Sequence, residues 1–333
     1  MTNLIPLINS NLTPEMQGTL YFLSLEAHRN SQHIYCAGGF LLDLLLGREN
    51  RQLDLIVVGS AVNFAQKLTG LLPGKLSVYE KLETATLILP KGFVFTMASA
   101  RAEFNPFIME SKTSAEDNLL KKNLFERDFT IDTLACSLNK ENFGQLYDFF
   151  GGLADLGEKS LKVLYQLSLV DKPLRILRLI RLEQRLGFSL GKETGNLLRQ
   201  GIAHRILGRA SRESLYREVR RLFREPSPIK IILRLAELGL FKQLFPRIEL
   251  NAGLVHRLKH LEGFLHQVEK ENAMRTSDIL LTYLSLLFSE LSEHDLHYMC
   301  HIMRLKRRER QEIQRILKNK ATIPHGEILF ASI

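Results

Sequence analysis

The chain has 333 residues, 45% of them hydrophobic and 24% charged, so it is long enough for two or three compact globular units. Three widely separated cysteines without a CxxC pair exclude a disulfide framework, and no apolar run reaches the roughly 18 residues of a membrane span, so we expect a cytoplasmic protein. The net charge is +9, and the arginines cluster in 172–225 and 304–315; a solvated surface would explain this, but the clustering favours binding of a polyanion.

Residues 1–155 alternate short strand-like runs with helical ones. Strands are predicted where β-rich runs lie between turn signals, and helices where apolar residues recur at helical spacing. In chain order these are the strand in IYCAGGF, the helix in LLDLLLG, the strand in LDLIVVG, the helix in SAVNFAQKLTGLL, and the strands LSVYE, ATLILP and FVFTMA. This order predicts an α/β unit with a small mixed sheet.

The pattern changes after Gly151-Gly152. Leucines then recur at helical spacing through 161–168, 174–188, 213–223 and 229–241, and again towards the C-terminus. Prolines at 226 and 228 break the chain between two helical blocks. We therefore predict an α/β domain at 1–155 and two all-helical domains at 156–225 and 226–333.

Two short segments of the α/β domain could carry chemistry. Gly38-Gly39 lies between a strand and a helix, where it is either a structural turn or a close approach of backbone to an anion. Gln52-Leu53-Asp54 opens a strand, and alternate residues of a strand share a face. Two carboxylates at this spacing would hold one metal ion, but the first position is an amide, so Asp54 is either a metal ligand or a turn residue.

Two further segments are rich in arginine. Arg127 and Asp128 either form a structural ion pair or hydrogen-bond a ribose and its phosphates. Four arginines recur every three or four residues and so share one helix face; this arginine stripe consists of Arg175, Arg178, Arg181 and Arg185. The stripe is either solvated or faces RNA, and its first member could reach a nucleotide base through its planar guanidinium.

In this order the segments resemble the class II family of tRNA nucleotidyltransferases and bacterial poly(A) polymerases. The resemblance covers roughly residues 30–245 and is carried by AGGFLLDLLLGR, QLDLIVVG, FTMASARAEF, ERDFTIDTLA, LYDFFGGLADL, DKPLRILRLIRLEQRLGF, ASRESLYREVRRLF and LAELGLFKQLFP. It implies an α/β nucleotidyltransferase head followed by an all-α neck, body and tail. It also implies the family reaction, in which nucleotides from ATP or CTP are added to an RNA 3′ end with two magnesium ions.

The resemblance implies roles for the matched residues. Asp54 is the family carboxylate expected at the metal and the reacting groups. Contacts to the triphosphate, ribose and base are implied for the nucleotide-binding set Gly38, Gly39, Asp43, Arg127, Asp128 and Arg175. The rest of the arginine stripe, Arg178, Arg181 and Arg185, is the predicted RNA-binding face, with tRNA as the expected partner.

At the metal-binding positions the chain departs from the family. The family's strand motif is Asp-x-Asp, whereas this chain has Gln52-Leu53-Asp54. A third family aspartate lies five residues before an arginine on a neighbouring strand, and counting back from Arg101 reaches Thr96. One carboxylate of three therefore remains to hold two magnesium ions, which prefer carboxylate ligands.

The nucleotide-binding motifs depart as well. Leu42 replaces the family arginine that precedes the aspartate after the glycine turn, and Glu126 replaces the first arginine of Arg-Arg-Asp. In the base-reading motif Lys172 replaces an aspartate, and a lysine can only donate hydrogen bonds. These changes predict that nucleotide selection of the family type fails.

Three functions follow from the matches and the departures. The first is an RNA-binding pseudoenzyme in which nucleotidyl transfer is weak or lost, acting on tRNA or on a partner nucleotidyltransferase. The second is an active RNA 3′-end nucleotidyltransferase with a rearranged metal site, and the third is a scaffold protein that does not bind RNA. The missing acids favour the first function over the second, and the clustered arginines favour it over the third.

Overall fold

The computed structural model describes residues 2–100, 114–270 and 276–320. The chain divides into two compact units, which comprise residues 1–165 and 166–333. The boundary falls later than residue 155, and the predicted division of the helical half at 225 stays a prediction. Within the described residues no helix has both the length and the apolar character needed to cross a membrane.

The first unit is built on a mixed seven-stranded sheet with the strand order β3-β4-β5-β2-β1-β6-β7. Strands β2 and β5 run parallel, and the other neighbours are antiparallel. The elements are α1 (Ile5–Asn11), α2 (Pro14–Arg29), β1 (His33–Ala37), α3 (Gly39–Leu45), β2 (Gln52–Val58), α4 (Ala61–Thr69), β3 (Lys75–Tyr79), β4 (Thr84–Ile88), β5 (Val94–Ser99), α5 (Ala115–Phe125), β6 (Ala135–Ser137), β7 (Leu146–Tyr147), α6 (Gly152–Gly157) and β8 (Ser160–Leu161), with 3₁₀ turns at Glu80–Leu82, Pro90–Gly92, Thr130–Thr133 and Lys140–Asn142.

The two faces of this sheet are covered differently. On one face, buried Leu53, Leu55 and Phe95 lie on the side where α3 and α4 pack. On the other face, Ile56 packs in a cluster with Leu120 and Leu124 of α5. Alternation along β2 puts Asp54 on the same face as Ile56, beyond the part of the sheet that this cluster covers. The sheet therefore leaves Asp54 only half-buried.

The second unit is helical. Its elements are α7 (Ser168–Asp171), α8 (Arg175–Leu186), β9 (Ser189–Leu190), α9 (Lys192–Ala203), a 3₁₀ turn (Ile206–Arg209), α10 (Arg212–Leu222), α11 (Pro228–Glu237), α12 (Phe241–Leu244), α13 (Ala252–Lys270), α14 (Thr276–Leu287), α15 (Glu293–Ile302) and α16 (Arg307–Lys320). The core is made of leucine, isoleucine and phenylalanine side chains from the helix faces that turn inward. The predicted fold class, an α/β head with a mixed sheet followed by an all-α half, is confirmed.

Some local predictions were wrong. The leucines of 161–168 do not form a helix, because Leu161 is fully buried in β8 while Leu167 is 56% exposed, so they share no buried face. The predicted helix at 229–241 is two helices, α11 and α12, separated by Gly239 with a φ of +70°. Helices α1 and α2 were not predicted at all, and both begin with a proline in the first turn.

Buried Asp155 of α6 fixes the segment that follows α5. Thr130 Oγ1 donates a hydrogen bond of 2.6 Å to Asp155 Oδ2, and Lys162 Nζ donates one of 2.5 Å to Asp155 Oδ1. The Thr130 N–H donates to the Lys162 carbonyl oxygen at 3.0 Å. Charge-assisted bonds of this kind hold the backbone at residue 130 against α6.

Two glycines of α6 can be used to test how closely this helix packs on residue 130. A Cβ at Gly152 would lie 2.3 Å from the Thr130 carbonyl oxygen, whereas a Cβ at Gly157 would have no atom within 4 Å. We expect Gly152→Ala to lower the free energy of unfolding by about 2 kcal/mol or more, because backbone has to move. Gly157→Ala should change it by less than about 1 kcal/mol. Urea unfolding of both variants checks this, and equal free energies would contradict the close packing of α6 on residue 130.

Candidate active site and arginine stripe

The turn between β1 and α3 brings two opposite charges together. Gly38 has φ +69° and ψ −144°, a backbone conformation open to glycine. A Cβ at Gly38 would lie 2.9 Å from Arg127 Nη1 and 3.0 Å from Asp54 Oδ2. The bare backbone of this glycine therefore allows the guanidinium and the carboxylate to approach the same point. The sequence predicted a close approach here, and the structure puts protein side chains at it.

Asp54 is held from two sides. The Gly39 N–H, at the start of α3, donates a hydrogen bond to its carboxylate, and Arg127 lies close enough to interact with its charge. Burial raises the pKa of Asp54 above its ordinary value of 3.8, and these two contacts only partly oppose that effect. The one predicted catalytic carboxylate is thus already engaged by groups of the protein.

The strand register defines what lies beside Asp54. On the parallel neighbour β5, Thr96 is its direct partner, and Thr96 is paired in turn with Thr86 of β4. Thr86 is paired with Ser77 of β3. Asp54, Thr96, Thr86 and Ser77 are therefore level with one another across the sheet, so that one carboxylate is followed by three hydroxyl groups. Gln52, two residues before Asp54 on the same strand, shares its face.

The register puts Thr96 on the strand next to Asp54. Its assignment to the third family aspartate stays a prediction, and Arg101, from which the count started, lies outside the described residues. Sequence analysis missed Thr86 and Ser77. Alternation along β3 and β4 shows which residues of each strand share a face. It does not show which residues of neighbouring strands are level, because that depends on the register.

Asp43 and Asp128 are predicted nucleotide-binding residues with different surroundings. Asp43 is 3% exposed and accepts a hydrogen bond of 2.7 Å from Asn50 Nδ2. Asn50 Oδ1 in turn accepts from the Gln52 N–H at 2.8 Å, so Asp43 supports the loop that enters β2. Sequence analysis gave no role to Asn50. Asp128 is half-buried and follows Arg127 in the bend after α5.

The residues at Asp54 do not fit a pair of magnesium ions. In the described part of the chain, no three His, Cys, Asp or Glu side chains come together as a metal site. Asp54 has a guanidinium against it, a threonine level with it and a glutamine two residues away. Magnesium is usually held by carboxylates and dehydrates reluctantly, so this donor set is too poor in negative charge.

The arginine stripe lies on α8, in the second unit. Arg175 is fully buried, and its Nη1 donates a hydrogen bond of 2.7 Å to Ser168 Oγ. Arg178 pairs with Glu218 at 3.1 Å. Arg181 pairs with Glu225 at 2.7 Å, and the two glutamate side chains are only 4% and 10% exposed.

The stripe therefore packs against acids that follow it by 40 and 44 residues, on α10 and just beyond its end. Arg185 is half-buried. Helical spacing predicted either a solvated face or an RNA-facing one, whereas Arg178 and Arg181 form ion pairs inside the unit. Their partners lie far along the chain, so helical spacing alone could not reveal them.

Gly38 and Gly39 offer a direct comparison at the site. Gly38→Ala would strain the backbone and push a methyl group against Asp54 and Arg127, so we expect the melting temperature to fall by roughly 2–10 °C. Gly39 lies in the first turn of α3, and its Cβ would meet only Asn50 Nδ2 at 4.0 Å. Gly39→Ala should leave the melting temperature nearly unchanged. Calorimetry of both variants checks this, and two equal shifts would refute the close approach.

The raised pKa of Asp54 has a consequence for stability. Since the folded-state pKa exceeds the ordinary 3.8, the ionised carboxylate destabilises the fold above the folded pKa, and this penalty disappears as pH falls towards 3.8. Asp54→Asn keeps an acceptor for the Gly39 N–H and should raise the free energy of unfolding at pH 7. That advantage should shrink as the pH falls to about 4. Urea unfolding at three pH values measures it, and a variant less stable than wild type at pH 7 would count against the burial penalty.

Comparison with known proteins identifies the family of the chain. The family model of the Poly A polymerase head domain matches residues 34–162, and the model of the Probable RNA and SrmB-binding site of polymerase A matches residues 187–251. An A-adding tRNA nucleotidyltransferase of Geobacter sulfurreducens is 39% identical over 217 residues, which are 65% of this chain and 24% of that protein. The A-adding tRNA nucleotidyltransferase of Aquifex aeolicus is 31% identical over 80% of this chain and 32% of its own length. The chain thus spans only a quarter to a third of these two relatives.

Solved structures cover more of the chain. A CCA-adding enzyme in complex with ATP has a TM-score of 0.78 and 31% identity, over 96% of this chain and 74% of that one. The Thermotoga maritima CCA-adding enzyme complexed with tRNA has a TM-score of 0.73 and 31% identity, over the same shares of both chains. The resemblance found in the sequence is confirmed, and the chain belongs to the tRNA nucleotidyltransferase and poly(A) polymerase family.

Proposed function

We propose that this chain is an RNA-binding member of its family, with tRNA as the RNA, in which two-metal nucleotidyl transfer is weak or lost. The observation that carries the proposal is the row on which Asp54 is level with Thr96 and shares its face with Gln52. The free, buried state of all three cysteines supports a cytoplasmic location. A partner nucleotidyltransferase would then supply the chemical step.

The low negative charge at the site is the physical reason to expect weak or absent catalysis. A metal ion stabilises the transition state of phosphoryl-type transfer by several kcal/mol, and each ~1.4 kcal/mol is tenfold in rate. Here one carboxylate stands where the family has three, and Arg127 offsets its charge. At the position of the missing triphosphate arginine, Leu42 is 3% exposed and belongs to the core of α3, so no cation reaches a ligand from there.

The base-reading region of the second unit supports the same conclusion. A cavity of about 290 Å³ lies at the start of α8, and its ionisable lining residues are Lys172, Arg175 and Arg178. All three can only donate hydrogen bonds, whereas the family's aspartate at the position of Lys172 accepts them. Selection of ATP or CTP by a base-pair-like pattern lacks its carboxylate acceptor there.

An active nucleotidyltransferase with a rearranged metal site is the second candidate function. It is favoured by the arrangement that persists, in which Gly38 holds Asp54 against Arg127, and by the 39% identity to a relative named as an A-adding enzyme. The two candidates differ in whether the purified chain incorporates nucleotides.

An incorporation assay decides between them. The full chain is incubated with magnesium, radioactive ATP or CTP, and a tRNA transcript that lacks its 3′ CCA. We expect labelling at the background level for the wild type. The double variant Gln52→Asp/Thr96→Asp puts three carboxylates on one face and should raise the rate by about 100-fold or more, because metal binding contributes several kcal/mol.

The matched control is Gln52→Asp/Thr86→Asp, in which the aspartate of position 96 is moved to position 86. Thr86 lies one strand further from Asp54 than Thr96 does. This control should stay at background. The proposal fails if the wild-type chain labels the transcript and Asp54→Ala abolishes that labelling, and the active enzyme then becomes the preferred function.

A further inference from the structure

Several half-buried arginines of the second unit have acidic partners. Ion pairs join Arg178 to Glu218, Arg181 to Glu225, Arg234 to Glu183 and Arg220 to Glu309, at 2.7–3.1 Å. Arg217, on the surface of α10, pairs with Glu213 at 2.8 Å. Charges balanced in this way contribute little to the attraction of a polyanion.

A different set of cations lines a cavity of about 380 Å³ in the same unit. Its lining residues, here called the α10–α16 pocket, are Arg212, His301, Ile302, Arg304, Leu305 and Arg310. Arg212 opens α10, Arg304 lies in the turn between α15 and α16, and Arg310 lies in the first turns of α16. Over the described ranges, no acidic side chain forms an ion pair with any of these three arginines. Positive charge is therefore left uncompensated around one concave surface.

The turn that presents Arg304 has an unusual residue choice. The N–H of Arg304 donates to the His301 carbonyl oxygen at 3.0 Å, and the N–H of Leu305 donates to that of Cys300 at 3.1 Å. This is the hydrogen-bond pattern of a Schellman helix end, whose left-handed residue is most often glycine. Arg304 occupies that position with a φ of +51°. The left-handed position of this helix end is thus held by an arginine that lines the pocket.

Hydrogen bonds from Arg220 of α10 and Arg310 of α16 hold the same turn in place. Arg220 Nη2 donates to the Arg304 carbonyl oxygen at 3.2 Å, and both Arg220 Nη atoms contact the Glu309 carboxylate at 3.0 Å. Glu309 also accepts from the Lys306 N–H at 2.6 Å, so the acid of this turn is engaged away from the pocket arginines. Arg310 Nε donates to the Leu305 carbonyl oxygen at 2.8 Å. The cavity wall is thus fixed before any ligand arrives.

We propose that the α10–α16 pocket binds a phosphate group of an RNA strand; the inference rests on the RNA-binding function proposed above and deepens it. Guanidinium groups match phosphate oxygens in planar, paired hydrogen bonds. Three of the six lining residues are arginines and none is a phenylalanine, tyrosine or tryptophan, which favours contacts to the RNA backbone over the reading of sequence. Exposed Lys306, Arg307 and Arg308 lie between the lining residues Leu305 and Arg310 and extend the positive surface, which fits a passing strand better than a small anion.

The test is a fluorescence anisotropy titration of a fluorescein-labelled RNA hairpin with the full chain at several KCl concentrations. The double variant Arg212→Gln/Arg304→Gln should lower the association constant at least about tenfold and reduce the slope of log K against log[KCl] by about 1–2. The matched control Arg217→Gln removes a charge from the same helix, but one that Glu213 already balances. It should change the association constant less than about twofold.

A third variant separates binding from folding. Arg304→Gly puts the preferred residue at the left-handed position, so its melting temperature should stay equal or rise while RNA affinity falls. If the double variant binds the hairpin with unchanged affinity and slope, the assignment of this pocket is overturned, and RNA binding by the chain survives elsewhere. If the wild type does not bind the hairpin at all, the RNA-binding function itself is overturned and the pocket assignment falls with it.

Discussion

The candidate site depends on the absence of a side chain at Gly38. At this point the chain leaves β1 and enters α3, and the backbone comes so close to Asp54 and Arg127 that even a methyl group would touch both. The glycine turn therefore determines where the charges of the site lie. It also puts the Gly39 N–H, the first of α3, in reach of the carboxylate, and a helix start commonly holds an anion in this way. In this chain the anion held there belongs to the protein.

Asp54 therefore has polar partners within the protein itself. A carboxylate that is partly buried, hydrogen-bonded to Gly39 and opposed by Arg127 is a structural group as much as a ligand. The neighbouring Thr96 and Gln52 carry no charge that would draw a cation out of water. The arginine stripe behaves in the same way, because Arg178 and Arg181 are committed to glutamates within their own unit. In both units, residues that the sequence predicted as ligand-binding have charged or hydrogen-bonding partners within the protein.

Residues close in sequence were predicted well. Strands β1 to β5 and helices α3 and α4 follow from apolar periodicity and turn residues. The level position of Thr96 beside Asp54 was not predicted, because the register between strands cannot be read from alternation. The failures involve long-range partners. Glu218 meets Arg178 across 40 residues, and Arg220 meets Glu309 across 89, distances over which no spacing rule operates. The left-handed conformation of Arg304 was also hidden, since glycine or asparagine is the residue that signals it.

The parallel pairing of β2 with β5 has a consequence for how the site forms. The two strands are joined by a connection that includes α4 and the antiparallel strands β3 and β4, so the pairing of Asp54 with Thr96 closes a long loop. Closing such a loop costs chain entropy before the pairing is gained, whereas the β3-β4-β5 ladder grows from local turns. The β3-β4-β5 ladder is therefore the local part of the sheet and the β2-β5 pairing its long-range part, although Lys75–Tyr79 contributes little to the buried core.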